Sequence, residues 1–127
     1  MNDLHDLTLI LQSRFPLVVV ETHEEPRVLA LLEQAANLEG WALFVWSIAD
    51  GLRRSGNSQP ITQTYEFLDA LRHIDKTPQN GLYVLLDAHP YLSDPVNARL
   101  IREIAMDHGQ AARTLVLVSP RIELNSE

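Results

Sequence analysis

Phe15-Pro16-Leu17-Val18-Val19-Val20-Glu21-Thr22-His23-Glu24-Glu25-Pro26-Arg27 decides the reading of the whole chain. Leu17–Val20 is an unbroken apolar run rich in β-branched residues. A run without alternation predicts a strand buried on both faces. A polar turn follows, and Val28, Leu29, Leu31, Leu32, Ala35 and Ala36 then recur at helical spacing. Strand, polar turn and helix open a βαβ unit. In open parallel sheets the ligand crevice lies at the carboxyl ends of the strands, so the Glu21–Arg27 turn is where a site belongs. A turn that cradles phosphate there is glycine-rich, because backbone N–H groups must come close to the anion. This turn has no glycine and no lysine, and Glu21, Glu24 and Glu25 outnumber Arg27. The position suits a phosphate and the chemistry opposes one.

Upstream, Leu4, Leu7, Ile10 and Leu11 predict a short amphipathic helix over residues 3–13, with Asn2 or Asp3 as caps. The helix after the turn has two possible starts. Thr22 with Glu25 spells a capping box, whereas Pro26 favours the first helical position with Glu25 outside. Gly40 ends that helix. Trp41–Ser47 is a second strand. Residues 48–60 lack periodicity and are rich in Gly, Ser and Asn, which predicts an exposed, mobile loop. A third helix runs from Thr62 or Thr64 to His73 and buries Phe67, Leu68 and Leu71. Thr77–Gly81 is a turn, and Leu82–Asp87 is a third strand. Asp94 caps a fourth helix with Pro95 at its first position; Val96, Leu100, Ile101, Ile104 and Ala105 form its apolar face and Gly109 stops it. Leu115–Ser119 is a fourth strand, ended by Pro120.

This alternation implies one α/β domain over residues 1–127: three layers, a mostly parallel sheet of four to five strands, and right-handed crossovers with helices on both faces. Arg121–Glu127 contains no closing element, so the chain reads as the front part of something longer.

Composition narrows the functional classes. A chain of 127 residues, 46% of them hydrophobic, can build a core and is not of a disordered type. A net charge of −7 and the lack of any basic run argue against a nucleic-acid partner. Without cysteine there is no disulfide, thiol nucleophile or zinc–thiolate site. The amino terminus has no signal-peptide pattern and no apolar run is long enough for a membrane span, so no membrane partner and a cytoplasmic location are expected. Ser47 and Ser119 end strands but lack a G-x-S-x-G elbow.

Two later segments have a familiar form. Leu82-Tyr83-Val84-Leu85-Leu86-Asp87 resembles a Walker B strand, and Leu115-Val116-Leu117-Val118-Ser119-Pro120 resembles the sensor strand that comes after one. More specifically, four segments resemble one family in order and spacing. They are Arg14–Leu17 leading into Glu21–Arg27, Phe44–Leu52, Asp87–Leu92, and Asp94-Pro95. Together they are similar to the N-terminal region of AAA-type ATPases of bacteria and chloroplasts, the FtsH-like or chloroplast reading-frame type, over essentially all 127 residues. The resemblance implies a degenerate P-loop-like domain with strand order 2-3-4-1, the first and second strands being the edges. It implies a separate AAA module that carries the Gly-rich loop and uses ATP and Mg²⁺. No G-x-x-x-x-G-K-[ST] occurs in this sequence. The expected partners are that AAA module and further copies of the chain, and no cofactor is expected in the domain itself.

The candidate polar residues are Glu21, His23, Glu24, Arg27, Asp87 and His89, all expected near the carboxyl edge of the sheet. Asp87 reads either as a Mg²⁺-supporting acid or as a turn cap, and Ala88 stands where a water-orienting Glu would be needed. Arg27 can face a phosphate or pair with Glu24 on its own helix. Glu21, His23, Asp87 and His89 are metal-compatible types without a tight ligand motif. Two functions compete: a noncatalytic N-terminal domain for assembly or recognition, and a small nucleotide- or metal-dependent hydrolase using Asp87, His23 and His89. Trp41 and Trp46 read as packing residues, since no basic groove accompanies them.

Overall fold

The computed structural model describes residues 3–13, 15–57, 59–77, 79–107 and 113–120. In chain order the elements are α1 (Asp3–Gln12), β1 (Leu17–Glu21), α2 (Glu25–Glu39), β2 (Ala42–Ser47), β3 (Gly51–Arg54), α3 (Phe67–Lys76), β4 (Gly81–Leu86), α4 (Pro95–Met106) and β5 (Arg113–Ser119). A single 3₁₀ turn, His89–Tyr91, lies between β4 and α4.

The strands form one sheet in the order β1-β5-β4-β2-β3. β1, β5, β4 and β2 are parallel, and β3 returns antiparallel to β2 with Phe44 opposite Arg54 and Ser47 opposite Gly51. The expected order 2-3-4-1 is therefore incomplete: it had no place for β3, and β2 is interior rather than an edge. Residues 48–60, expected as a mobile loop, contain this strand. β3 has a single large apolar side chain, Leu52, between Gly51 and Arg53-Arg54, too short a run to show a period. Tertiary contacts fix it instead. Trp46 Nε1 donates to the Thr64 carbonyl at 2.8 Å, and Thr64 Oγ1 accepts from Leu52 N at 3.0 Å while donating to the Ile61 carbonyl. Thr64 is thus committed to the loop, which is why α3 starts at Phe67 and not at Thr62 or Thr64.

Each face of the sheet is covered by two helices. On one side, Leu11 of α1 and Leu32, Ala35 and Ala36 of α2 pack on Leu43, Leu82, Val84, Leu86, Val116 and Val118. On the other, Phe67, Leu71 and Ile74 of α3 and Ile101 and Ile104 of α4 pack on Phe44, Trp46, Tyr83, Leu85, Leu115 and Leu117. Burying each leucine-sized side chain contributes about 1.5–3 kcal/mol, so these two layers dominate stability. α1 docks within its own chain through Leu11, with Gln12 Nε2 donating to Glu39. That docking satisfies a helix too short to persist in isolation.

β4 and β5 are buried along their whole length. β1 is not, contrary to expectation. Val18 and Val20 pack under α1 and α2, but Leu17 and Val19 point to the other face and are 38% and 56% exposed. A continuous apolar run reports what a strand can bury and does not show whether a helix lies over it.

Two caps agree with the sequence reading, whereas Asp3 lies within α1 and Asn2 outside the described residues. Gly40 takes the left-handed conformation after α2, with Trp41 N bonded to the Ala36 carbonyl. Asp94 accepts from Val96 N and Asn97 N at the start of α4. α4 ends at Met106, and Gly109 and the Arg121–Glu127 tail lie outside the described residues. The carboxyl end of α3 is closed by Arg113, whose guanidinium donates to the carbonyls of Ile74, Asp75 and Thr77 and, at 2.7 Å, to Asp107. Among the described residues no helix is long and apolar enough to cross a membrane.

Candidate functional site

The carboxyl ends of β1, β5 and β4 form one edge, and the turn into α2 rises from it. Thr22 N donates to the Ser119 carbonyl, which ties the turn to β5. Thr22 Oγ1 then accepts from Glu24 N at 2.9 Å. This local Thr turn replaces the capping box, because α2 begins at Glu25, with Glu24 as its cap residue and no side-chain cap bond. Glu25 is thus inside the helix rather than before it, a one-residue difference from the proline-based reading.

This start leaves little for an anion. The Glu24 amide is bound by Thr22, Pro26 has no N–H, and Val28 N already bonds the Glu24 carbonyl. Few donors are thus left at the start of α2, where a phosphate cradle uses several. Charge works in the same direction. The Arg27 guanidinium lies 3.6 Å from Glu24, the expected helix-face pair, with both side chains well exposed. Such exposed pairs are worth a few tenths of a kcal/mol, but the pairing offsets the cation of the turn.

Asp87 leaves β4 with a positive φ of 55°, a conformation aspartate tolerates better than most residues, and its N–H donates to the Val118 carbonyl at 2.8 Å. Its side chain is exposed. It acts on Glu25, whose carboxyl is raised above its ordinary value, first by burial and then by the charge of Asp87. Glu25 is not among the candidate site residues read from the sequence, where it counts only towards the acidity of the turn and as a possible capping partner of Thr22. The two carboxylates come near each other only because β4 and β1 flank β5.

The other candidates are more scattered. Glu21 ends β1 exposed, and His23 is exposed in the turn. β5 separates β1 from β4, so the backbones of Glu21 and Asp87 stand about 10 Å apart, two strand spacings. His89 is half-buried in the 3₁₀ turn with Nδ1 buried and without a hydrogen-bond partner. Among the described residues, no group of three or more His, Asp or Glu side chains is placed to hold a metal ion. Among the described residues the edge is acidic, has Pro26 where an N–H donor is needed and has no lysine, a set that does not fit a Mg–nucleotide.

The raised Glu25 carboxyl makes a prediction. A carboxyl raised in the folded state contributes stability that is fully present below its unfolded value and lost as pH rises through the folded one. Glu25→Gln should be more stable than the parent at neutral pH, with the advantage fading as the medium approaches about pH 4. Urea titrations across that range test it. A variant less stable at neutral pH would mean that the helix-terminal charge outweighs burial and repulsion.

The fold and this edge define a mostly parallel α/β domain whose strand-end turn lacks the chemistry of a phosphate cradle. The chain belongs to the SpoVK-like AAA ATPase N-terminal domain family, whose profile matches residues 3–127. It is 30% identical over 122 residues to the uncharacterized AAA domain-containing protein ycf46 of Guillardia theta, covering 94% of this chain and 24% of that protein. The protein of the same name from Pyropia yezoensis is 25% identical over 127 residues, covering 98% and 26%. The chain thus spans about a quarter of the length of the curated relatives it matches. No solved structure matches it at a significant level.

Proposed function

We propose that this is a noncatalytic N-terminal domain that serves assembly or partner recognition, with ATP and Mg²⁺ handled by an AAA module further along the protein. The observation that carries this reading is the acidic, amide-poor start of α2, where Glu24, Glu25 and Asp87 occupy the field a phosphate would need. Matching relatives about four times longer, with AAA domain in their names, support the placement of catalysis elsewhere. The hydrolase alternative receives no such support, because His23, Asp87 and His89 form no ligand cluster.

Calorimetry of the 127-residue chain with ATP and Mg²⁺ should give no heat above dilution. Micromolar binding would overturn the noncatalytic reading, and charge reversal at Arg27 would then locate the site. In the full-length protein, deleting this domain should leave nucleotide affinity unchanged while altering the assembly state or partner capture. Loss of nucleotide affinity with assembly intact would sink the proposal.

A further inference from the structure

A groove of about 590 Å³ runs along one flank of α3, with the loop before that helix as its other wall. The loop wall is preformed. Thr64 is buried at its centre, where its carbonyl accepts from Trp46 Nε1 and its hydroxyl joins Leu52 N to the Ile61 carbonyl. On either side of that anchor, Gln63 and Tyr65 are exposed and line the groove. The Tyr65 ring lies beside Gly51 at the start of β3. Gln63 has a φ of 60°, in the left-handed region that glycine enters freely and that a residue with a Cβ enters at a cost. Strain of this kind persists only where the surroundings hold it, and it gathers at ligand sites. The fixed Thr64 holds the backbone here, and Gln63 keeps an amide on the groove that a glycine would lack.

The helix wall is a charged stripe. Asp69, Arg72 and Lys76 recur at three- and four-residue spacing on α3, and Glu66 precedes them at its cap. Acids thus stand at one end of the groove and bases at the other. The helix macrodipole accounts for that order, but not for the groove beside it or for Gln63. Nor do these charges neutralise one another. Elsewhere on the helices, Arg27 pairs with Glu24 and Arg99 with Glu103 at the same spacings. Among the described residues, Asp69 and Arg72 form no such pair, and the side chains of Gln63, Tyr65, Glu66 and Lys76 have no hydrogen-bond or ionic partner. Asp69 and Lys76 lie about 10 Å apart along the axis at the rise of an α-helix. An extended chain covers that distance in about three residues.

We propose that this groove docks an extended segment of a partner protein, one that carries a basic and an acidic residue about three or four positions apart. The basic residue lies at Glu66 and Asp69, and the acidic one at Arg72 and Lys76. A small ion answers one end of the groove only. A segment of mixed sign answers both, and its backbone can hydrogen-bond the Gln63 amide and the Tyr65 hydroxyl. Because Thr64 fixes the loop wall beforehand, binding has little of the groove left to order. This deepens the reading of the domain as a recognition module and rests on it.

Fluorescence anisotropy tests this with labelled peptides of Thr and Val that carry one Arg and one Glu at varied spacing, in either order. Peptides with the two charges three or four positions apart should bind on the order of tenfold more tightly than peptides with adjacent charges or with two charges of one sign. Lys76→Glu should weaken the best peptide about tenfold, and replacing that peptide's Glu by Arg should restore its binding to the variant. Gln63→Gly should raise the urea midpoint, by relieving the backbone, while weakening the peptide about fivefold. A merely structural Gln63 would give the first change without the second. Binding without a spacing preference, or unmoved by Lys76→Glu or by Gln63→Gly, would overturn the proposal. So would peptide binding that falls as the protein's own concentration rises, which would assign the groove to a second copy. If the peptides fail while deleting the domain still abolishes partner capture, the groove is refuted and the proposed function stands. ATP binding by the domain would instead defeat the proposed function and leave the peptide result intact.

Discussion

Trp46→Ala should lower the unfolding free energy by about 3–5 kcal/mol, the range for emptying a large aromatic site in a core. Trp46 is fully buried, and its ring meets Phe67 and Tyr91 edge-on at 5.2 and 5.8 Å. Those two rings stack on each other at 4.8 Å, so one side chain organises the start of α3 and the 3₁₀ turn together. Its indole N–H also holds the Thr64 carbonyl, and Thr64 in turn holds β3. The loss should therefore be uneven: exchange at Leu52 N should accelerate more than at Val84. Trp46→Phe should recover part of the packing without the hydrogen bond. Denaturant titration with residue-resolved exchange gives both readouts, and a cost below about 1 kcal/mol would show that β3 is held by something else.

Arg113→Ala should cost a comparable amount, about 3–5 kcal/mol, for a different reason. The guanidinium is 1% exposed and paired with Asp107 at 2.7 Å. Removing it takes the guanidinium away from a partly buried carboxylate and from the last carbonyls at the end of α3, and breaking one partner of a buried pair is far more damaging than the pair is stabilising. Arg113→Met, which keeps the volume, should rescue little, because the lost donors and not the lost packing carry the cost. Asp107→Asn should cost less, since the carbonyls of Ile74, Asp75 and Thr77 keep their donor. The ion pair is shielded from solvent, so these differences should change little with added salt. A strong salt dependence of the Arg113→Ala effect would mean that the pair is open to water.

The sequence is most informative where local and global signals agree. The apolar runs of β4 and β5 are buried throughout, and Gly40 and Asp94 sit at the helix ends their chemistry suits. β3 is invisible in the sequence because its position comes from Trp46 and Thr64, a strand and a loop away. Arg113 gives no sign of its role, since a charged residue at the start of an apolar run reads as a solvated flank and its partners lie on α3. At the candidate site, the acidity of the turn and the Glu24–Arg27 pair are readable from spacing within a helix. The approach of Glu25 to Asp87 is not, because it depends on which strands flank β5. The exposed face of β1 is hidden for a related reason: the residues there are apolar, and only the absence of a covering helix among the described residues makes them exposed.

The placement of β5 also bears on how the domain is made. Leu17 pairs with Leu115, far along the chain, and β4 needs the same strand for its second neighbour. Joining such distant segments is entropically costly and slow. During synthesis, β1 and α2 emerge long before the strand that holds β1 in the sheet. Among the described residues the β2–β3 hairpin, with Trp46 opposite Leu52, is the one strand pairing that can form at short range. The four parallel strands can close into one sheet only after Ser119 has cleared the ribosome. Until then, the Leu17–Val20 segment stays an unpaired apolar strand, the part of the nascent domain most in need of protection from aggregation.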